Sequence, residues 1–267
     1  MESYESYNNG QFTPPRYEEY QDAQGFQSYE DLSGGFEAGN PVTTTLHQLK
    51  SLMFEEVIAK AFLFMVAALG ITAFAAYSAP YFMLNWLVKN PFGLYLLFGA
   101  EIAIVLVSNS VLKKNNVVLA AVLYTIYSYL TGATIGIICL AYTGASVASV
   151  FLMTAGMFGV MAIYGLITKR DLSSLGSLFM MGLVGIIIAG LVNILILHSS
   201  AVEFGISIVG VLIFVGLTAY DVQKLKNRVA FSDSSSVTAI AMAGAFELYL
   251  DFINLFLKLL RLFGKRK

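Results

Sequence analysis

Seven apolar segments follow one another from about residue 55 onward, and their length constrains the fold more than any other feature. Each is close to the roughly 20 residues that a helix needs to cross the hydrocarbon layer of a bilayer. An open sheet edge in lipid would leave backbone groups unpaired, and no alternating pattern of a membrane barrel is present. The sequence therefore predicts an all-α, polytopic membrane protein with transmembrane helices at 56–78, 91–112, 117–140, 146–168, 175–197, 202–224 and 237–263.

The composition agrees with this class and excludes several others. Hydrophobic residues make up 57 % of the chain and charged residues only 12 %, about half of their usual share in soluble domains. A net charge of -1 offers no basic surface for nucleic acid, and the single cysteine, Cys139, cannot form an intrachain disulfide. With two histidines, no transition-metal spacing, no phosphate-binding glycine loop and no nucleophile elbow, we expect no resident cofactor and no enzyme.

Residues 1–53 differ from the rest of the chain. Tyrosines are spaced among Gln, Gly, Ser and Asn, and eight acids up to Glu37 stand against Arg16 alone. Such a segment cannot bury enough apolar surface to fold by itself. We therefore predict a disordered acidic tail over 1–53 and a transmembrane domain over 54–267.

Basic residues lie in alternate loops, which predicts the orientation in the membrane. Lysines and arginines follow the second, fourth and sixth helices, so these loops and the N-terminus are expected in the cytoplasm. Seven crossings then put the basic C-terminal residues outside, against the usual tendency. Either the last helix is enclosed by the others, or it re-enters and returns its end to the cytoplasm; a polar stripe on this helix favours enclosure. The loop residues are Lys113, Lys114, Lys169, Arg170, Lys224, Lys226 and Arg228.

The polar stripe runs along one face of the last helix, whereas leucine and phenylalanine cover the other faces. Spacings of three and four residues place its members on one line of the helix. They are Glu247, Asp251, Asn254, Lys258, Arg261 and Lys265.

Four acids lie inside predicted spans, namely Glu101, Asp221, Glu247 and Asp251. An ionisable group at that depth costs at least about 2.5 kcal/mol unless it is paired or hydrated. Glu247 is one turn from Asp251, and two carboxylates about 4 Å apart repel by about 4 kcal/mol at an effective dielectric near 20. One of them is therefore expected to hold a proton. If Asp221 approaches Asp251 across the sixth and seventh helices, the two form a proton-sharing pair.

Purely structural roles for these acids stay open as alternatives. Asp221 also fits an ion pair at the end of its helix with Lys224 and Arg228. Glu101 fits either a neutral, hydrogen-bonded packing residue or a part of an ion pathway. Asn254, on the same face as Asp251, is a further pathway candidate.

Three blocks of sequence carry a resemblance to a known family. Residues 246–256, Phe-Glu-Leu-Tyr-Leu-Asp-Phe-Ile-Asn-Leu-Phe, resemble the signature of the Bax-inhibitor family, the transmembrane Bax-inhibitor-motif proteins. Residues 154–176 are similar to its bacterial branch, and Thr-Ala-Tyr-Asp-Val-Gln at 218–223 resembles the sixth helix of the family. The blocks lie in the family order within residues 55–264, and the N-terminal tail is outside the resemblance.

The resemblance implies seven helices with the C-terminal helix central. In the bacterial branch an aspartate pair senses pH and gates a calcium leak across the plasma membrane, and the matching residues are Asp221 and Asp251. These aspartates would also be weak, transient ligands of the permeant calcium, with Glu247, Asn254 and Glu101 as further pathway residues. Bacterial relatives often carry an arginine that latches the pair, whereas this chain has Val111 near that place and Lys113 beyond it.

Two other functions remain alternatives. Some relatives are regulators of membrane proteases or of stress and cell-death pathways and do not transport ions. Tyr220-Asp221 and an aspartate on the next helix also resemble intramembrane aspartyl proteases, but Leu248-Tyr249-Leu250 precedes Asp251 in place of the Gly-x-Gly turn of those enzymes.

Overall fold

The fold is described from a computed structural model that covers residues 41–90, 92–230 and 237–267. No strand occurs in these ranges, and seven helices are long and apolar enough to cross a membrane. The predicted all-α fold with seven transmembrane helices is therefore confirmed. The helices are α1 (Pro41–Lys89), α2 (Gly93–Lys113), α3 (Val117–Cys139), α4 (Gly144–Ile167), α5 (Ser173–Val192, continued by a π-helical turn at Asn193–Leu197), α6 (Ser200–Ala230) and α7 (Val237–Phe263).

The first helix differs most from its predicted span. It begins at Pro41, so residues 41–53 are helical where a disordered tail was predicted, and it continues through Pro80 to Lys89. Leu46, Leu49 and Leu52 interrupt the polar composition of the tail, and the segment extends a helix that has already nucleated. A single proline removes one hydrogen bond, which a long helix with packed neighbours tolerates. The part of the predicted tail before residue 41 lies outside the described residues.

Helix α7 is the central helix of the bundle, as the family resemblance implied. It packs against α1, α2, α3, α4 and α6, while α5 packs on α6. Leu248, Tyr249 and Leu255 have no exposed surface. Tyr124 and Tyr127 of α3 meet Tyr249 edge-on, with ring centroids 5.6 and 5.9 Å apart. Aromatic side chains thus fill the contact between α3 and the central helix.

Glycines on α3 allow close contact between two helices. A Cβ atom added to Gly136 would lie only 2.9 Å from the Cα atom of Ala76 on α1. A Cβ atom added to Gly132 would meet the backbone of Thr72 in the same way. Small residues at such contacts let helix backbones approach in a membrane, where packing rather than hydrophobic exclusion holds helices together.

We expect Gly136→Ala to destabilise the bundle by about 1–3 kcal/mol, because the added methyl group has no room and the backbone must move. Thermal unfolding in detergent measures the effect. Gly156→Ala on α4 is the matched control, since a Cβ there meets nothing within 4 Å and alanine favours a helix more than glycine. Equal melting temperatures for the two variants would contradict the close contact.

The C-terminal residues are fastened to the connection between α3 and α4. Arg266 pairs with Tyr142 in an isolated antiparallel bridge. The Thr143 amide donates to the Lys265 carbonyl at 2.9 Å, and the Lys267 amide donates to the Ala141 carbonyl at 3.1 Å. The last part of α6 is tied by Gln223 to the α4–α5 connection, at the opposite end of α4 from the α3–α4 connection, and α7 begins beside it, so α7 crosses completely and does not re-enter. Enclosure is the correct alternative, whereas the side that faces the cytoplasm stays a prediction.

Candidate functional site: an acidic cluster between two helices

Asp221 on α6 and Asp251 on α7 lie side by side inside the membrane span. Their carboxyl groups are within hydrogen-bonding reach of each other. Asp251 is 5 % exposed and the side chain of Asp221 is 14 % exposed. A carboxylate accepts hydrogen bonds but cannot donate one, so a hydrogen bond between these two groups can form only when one of them carries a proton. The structure thus brings together the two residues that the sequence analysis paired, and their role as a pH sensor stays a prediction.

Glu247 completes a larger group of charges. Its Oε1 atom accepts hydrogen bonds from Arg228 Nη2 at 2.7 Å and from Lys224 Nζ at 3.2 Å. Lys224 Nζ also lies 3.8 Å from Asp221 Oδ1. We call Asp221, Glu247 and Asp251 the acidic cluster, and Lys224 and Arg228 its two cations.

The charges of this group nearly cancel. Three carboxylates beside two cations leave one net negative charge, and a single shared proton removes it. Buried charges are tolerated when they are paired and hydrogen-bonded in this way. The alternative in which Asp221 forms only a helix-end ion pair is too narrow, because Arg228 pairs with Glu247 on the neighbouring helix.

Two contacts fix α6 beside the aspartates. The Gln223 side chain accepts from the Leu172 amide and donates to the Arg170 carbonyl, both at 2.8 Å, so it ties α6 to the α4–α5 connection. On the other side, Gly244 of α7 leaves room for Leu225 of α6. Gln223 was not predicted as a site residue from the sequence, although it closes the Thr-Ala-Tyr-Asp-Val-Gln block two residues after Asp221.

Lys258 and Arg261 of the polar stripe contact α6, whereas Lys265 lies beyond the end of α7 at the α3–α4 connection. Asn254 donates to the Leu250 carbonyl of its own helix at 2.8 Å, so its amide is not engaged with the aspartates. The stem of Lys258 lies against Gly210 of α6. Arg261 forms an ion pair with Glu203 of the same helix.

Glu101 is held elsewhere in the bundle. Its Oε1 atom accepts a hydrogen bond of 2.9 Å from Thr134 on α3, which fits the packing interpretation. A second polar contact that the sequence analysis missed lies at the bundle centre, where the hydroxyl groups of Thr72 and Tyr249 are 2.6 Å apart. Tyrosine in the Leu-Tyr-Leu-Asp stretch was the available signal for it.

The cations beside the aspartates come from α6. Val111, near the place of the latch arginine in bacterial relatives, is buried among apolar side chains. Lys224 and Arg228 instead provide the positive charge, whereas the participation of Lys113 stays a prediction. Within the described ranges, no group of three or more His, Cys, Asp or Glu side chains has the arrangement of a metal site.

A family model described as "Inhibitor of apoptosis-promoting Bax1" matches residues 55–267, which include both aspartates and all the cluster residues. The chain belongs to the Bax inhibitor family. Among the relatives of this Bax inhibitor family protein, the inner membrane protein YbhL of Escherichia coli K12 is 44 % identical over 215 residues, which cover 79 % of this chain and 92 % of YbhL.

Relatives in other bacteria match a similar share of this chain. The protein RP147 of Rickettsia prowazekii is 39 % identical over 78 % of this chain and 89 % of its own length. A membrane protein of Streptococcus pyogenes serotype M1 is 36 % identical over 79 % of this chain and 93 % of its own. These matches cover 78–79 % of this Bax inhibitor family protein and 89–93 % of the relatives, so most of each chain is shared.

Proposed function

We propose that this protein is a pH-modulated cation leak channel of the bacterial plasma membrane, with calcium as the permeant ion and Asp221 and Asp251 as its gate. The observation that supports the proposal is the enclosed aspartate pair between α6 and the central helix, in which a hydrogen bond can form only with a proton on one carboxyl group. The description of the Escherichia coli relative as an inner membrane protein supports the location. The N-terminus is proposed to lie in the cytoplasm.

The shared proton links pH to the packing of two helices. With the proton present, the pair is hydrogen-bonded and holds α6 against α7. Without it, two carboxylates in contact repel by about 4 kcal/mol at an effective dielectric near 20. Conformations of a protein commonly differ by a few kcal/mol, so a change of this size is sufficient to shift their populations.

The same event changes the attraction for cations. The Asp251 Oδ2 atom is buried and accepts no hydrogen bond from the described residues, so an ion that enters when the helices separate would meet an unpaired oxygen. Calcium takes six to eight oxygen ligands, and two carboxylates supply at most four. We therefore infer a weak, transient contact with a permeant ion, with no resident metal.

Calcium flux into proteoliposomes tests the proposal. Vesicles that contain the purified protein and a calcium-sensitive dye are expected to fill faster than protein-free vesicles, at a rate that changes with pH. Flux equal to that of empty vesicles at every pH would overturn the proposal and favour the non-transporting regulator.

Two aspartates on neighbouring membrane helices are also the geometry of an intramembrane aspartyl protease. We favour a channel without enzymatic activity because Leu248 and Tyr249, which precede Asp251, have no exposed surface. A substrate segment would need to displace them to reach the pair. Cleavage of a transmembrane reporter by the protein, lost in Asp251→Asn, would reverse this preference.

A further inference from the structure

An apolar cleft lies on the opposite side of α7 from the stripe that faces α6. Its volume is about 1130 Å³. Residues of α1, α3 and α4 form its walls, and Phe252, Ile253 and Phe256 of α7 lie along its floor. We call it the α1/α4 cleft.

The cleft opens toward the bilayer. Tyr77 on α1 and Leu152 on α4 line it and are 75 % and 71 % exposed. An apolar space that opens in the hydrocarbon layer is filled by acyl chains rather than by water, since water there would lack polar partners. Its volume exceeds the roughly 300–1,000 Å³ of sites for drug-sized ligands. The space therefore fits a longer apolar ligand.

Positive charge lies at one end of the cleft. Lys267 is among the lining residues, and the backbone hydrogen bonds of the C-terminal segment hold Lys265, Arg266 and Lys267 beside the α3–α4 connection. Asn85, near the end of α1, also lines the cleft, and the lining residues include no Asp or Glu. Basic residues at the membrane surface attract anionic lipid headgroups by about 1 kcal/mol each.

We propose that the α1/α4 cleft binds an anionic glycerophospholipid of the bilayer. An acyl chain lies over Phe252 and Phe256, and the phosphate lies at the basic C-terminal segment. No residue of the acidic cluster lines the cleft, so lipid binding there does not depend on the proposed channel activity.

Native mass spectrometry of the full chain tests the site. The protein is released from micelles that contain equimolar phosphatidylglycerol and phosphatidylcholine with identical acyl chains. We expect one retained phosphatidylglycerol, favoured about fivefold or more over phosphatidylcholine, since one basic residue contributes about that factor. Equal retention of the two lipids would overturn the proposal.

Two variants separate the charge from the cleft. Lys265→Gln, Arg266→Gln and Lys267→Gln together keep the backbone contacts and are expected to remove the preference for phosphatidylglycerol. Ala148→Phe places a ring in the cleft and is expected to remove retention of both lipids. Ala155→Phe, at an exposed position of α4 that does not line the cleft, is the control.

Lipid retention and oligomeric state of the two phenylalanine variants show what occupies the cleft. Retention in Ala148→Phe equal to that in Ala155→Phe would overturn the site. A protein dimer that only Ala148→Phe abolishes would assign the cleft to a second copy and overturn the lipid. Melting temperatures of both phenylalanine variants identify a loss of lipid that is due only to unfolding.

Discussion

Asp251→Asn is expected to abolish the pH dependence of calcium flux. Asparagine has nearly the shape of a protonated aspartate and carries no charge, so the aspartate pair can no longer lose its shared proton. The flux should stay at the value that the wild-type protein reaches at its acidic limit, at every pH. Asp221→Asn should do the same. Calcium entry into proteoliposomes across a pH series measures both.

The control for this prediction is Asp171→Asn. Asp171 is exposed on the α4–α5 connection, where it accepts a hydrogen bond from the Ser173 amide. This variant makes the same chemical change outside the membrane and should keep the wild-type pH profile. The double variant of Asp221 and Asp251 should have no more effect on the pH profile than either single variant, because the two residues act as one unit. A wild-type profile in Asp251→Asn would refute the gate.

Arg228→Gln is expected to have the second large effect. It removes the shorter of the two contacts to Glu247 and leaves three carboxylates beside Lys224 alone. Breaking a fully buried ion pair costs about 3–5 kcal/mol and an exposed pair contributes up to about 1 kcal/mol. Since Arg228 and Glu247 are 34 % and 27 % exposed, we expect about 1–3 kcal/mol. Thermal unfolding in detergent measures the loss.

The same variant should move the pH response. With less positive charge nearby, removal of the shared proton leaves a larger uncompensated negative charge, so the change in flux is expected at a higher pH. Lys226→Gln is the matched control, because Lys226 is on the same helix but exposed and outside the acidic cluster. If Arg228→Gln and Lys226→Gln give the same melting temperature and the same pH profile, the cations are not part of the gate.

The number and positions of the helices were predictable from the sequence. The length of each apolar segment is set by the bilayer, and most predicted ends fall within a few residues of the observed ends. The start of α1 at Pro41 was not predicted, because three leucines spaced within an otherwise polar segment are a weak sign that a helix extends into it. The predicted end of the first helix at residue 78, just before Pro80, was wrong for a different reason. A proline ends an isolated helix more often than a packed one.

The candidate site was only partly predictable. The cost of charge in the membrane identified Asp221 and Asp251, but their contact depends on the rotation of α6 against α7, which the spacing along one chain does not fix. Glu247 was expected to act on Asp251 alone, and the structure places it against Lys224 and Arg228. The role of Gln223 depends on its hydrogen bonds to the α4–α5 connection, which is distant in the sequence and could not be predicted to lie beside it.

The attachment of the C-terminal residues to the α3–α4 connection limits how this bundle moves. Because the segment that follows α7 is held by backbone hydrogen bonds on both sides of Arg266, it resists sliding of α7 along its own axis. Opening of the proposed channel would therefore require lateral displacement of the surrounding helices around α7 rather than axial movement of α7 itself. Spectroscopic distance labels should accordingly lengthen between α6 and α7 during opening, while those between the ends of α7 and the α3–α4 connection stay constant.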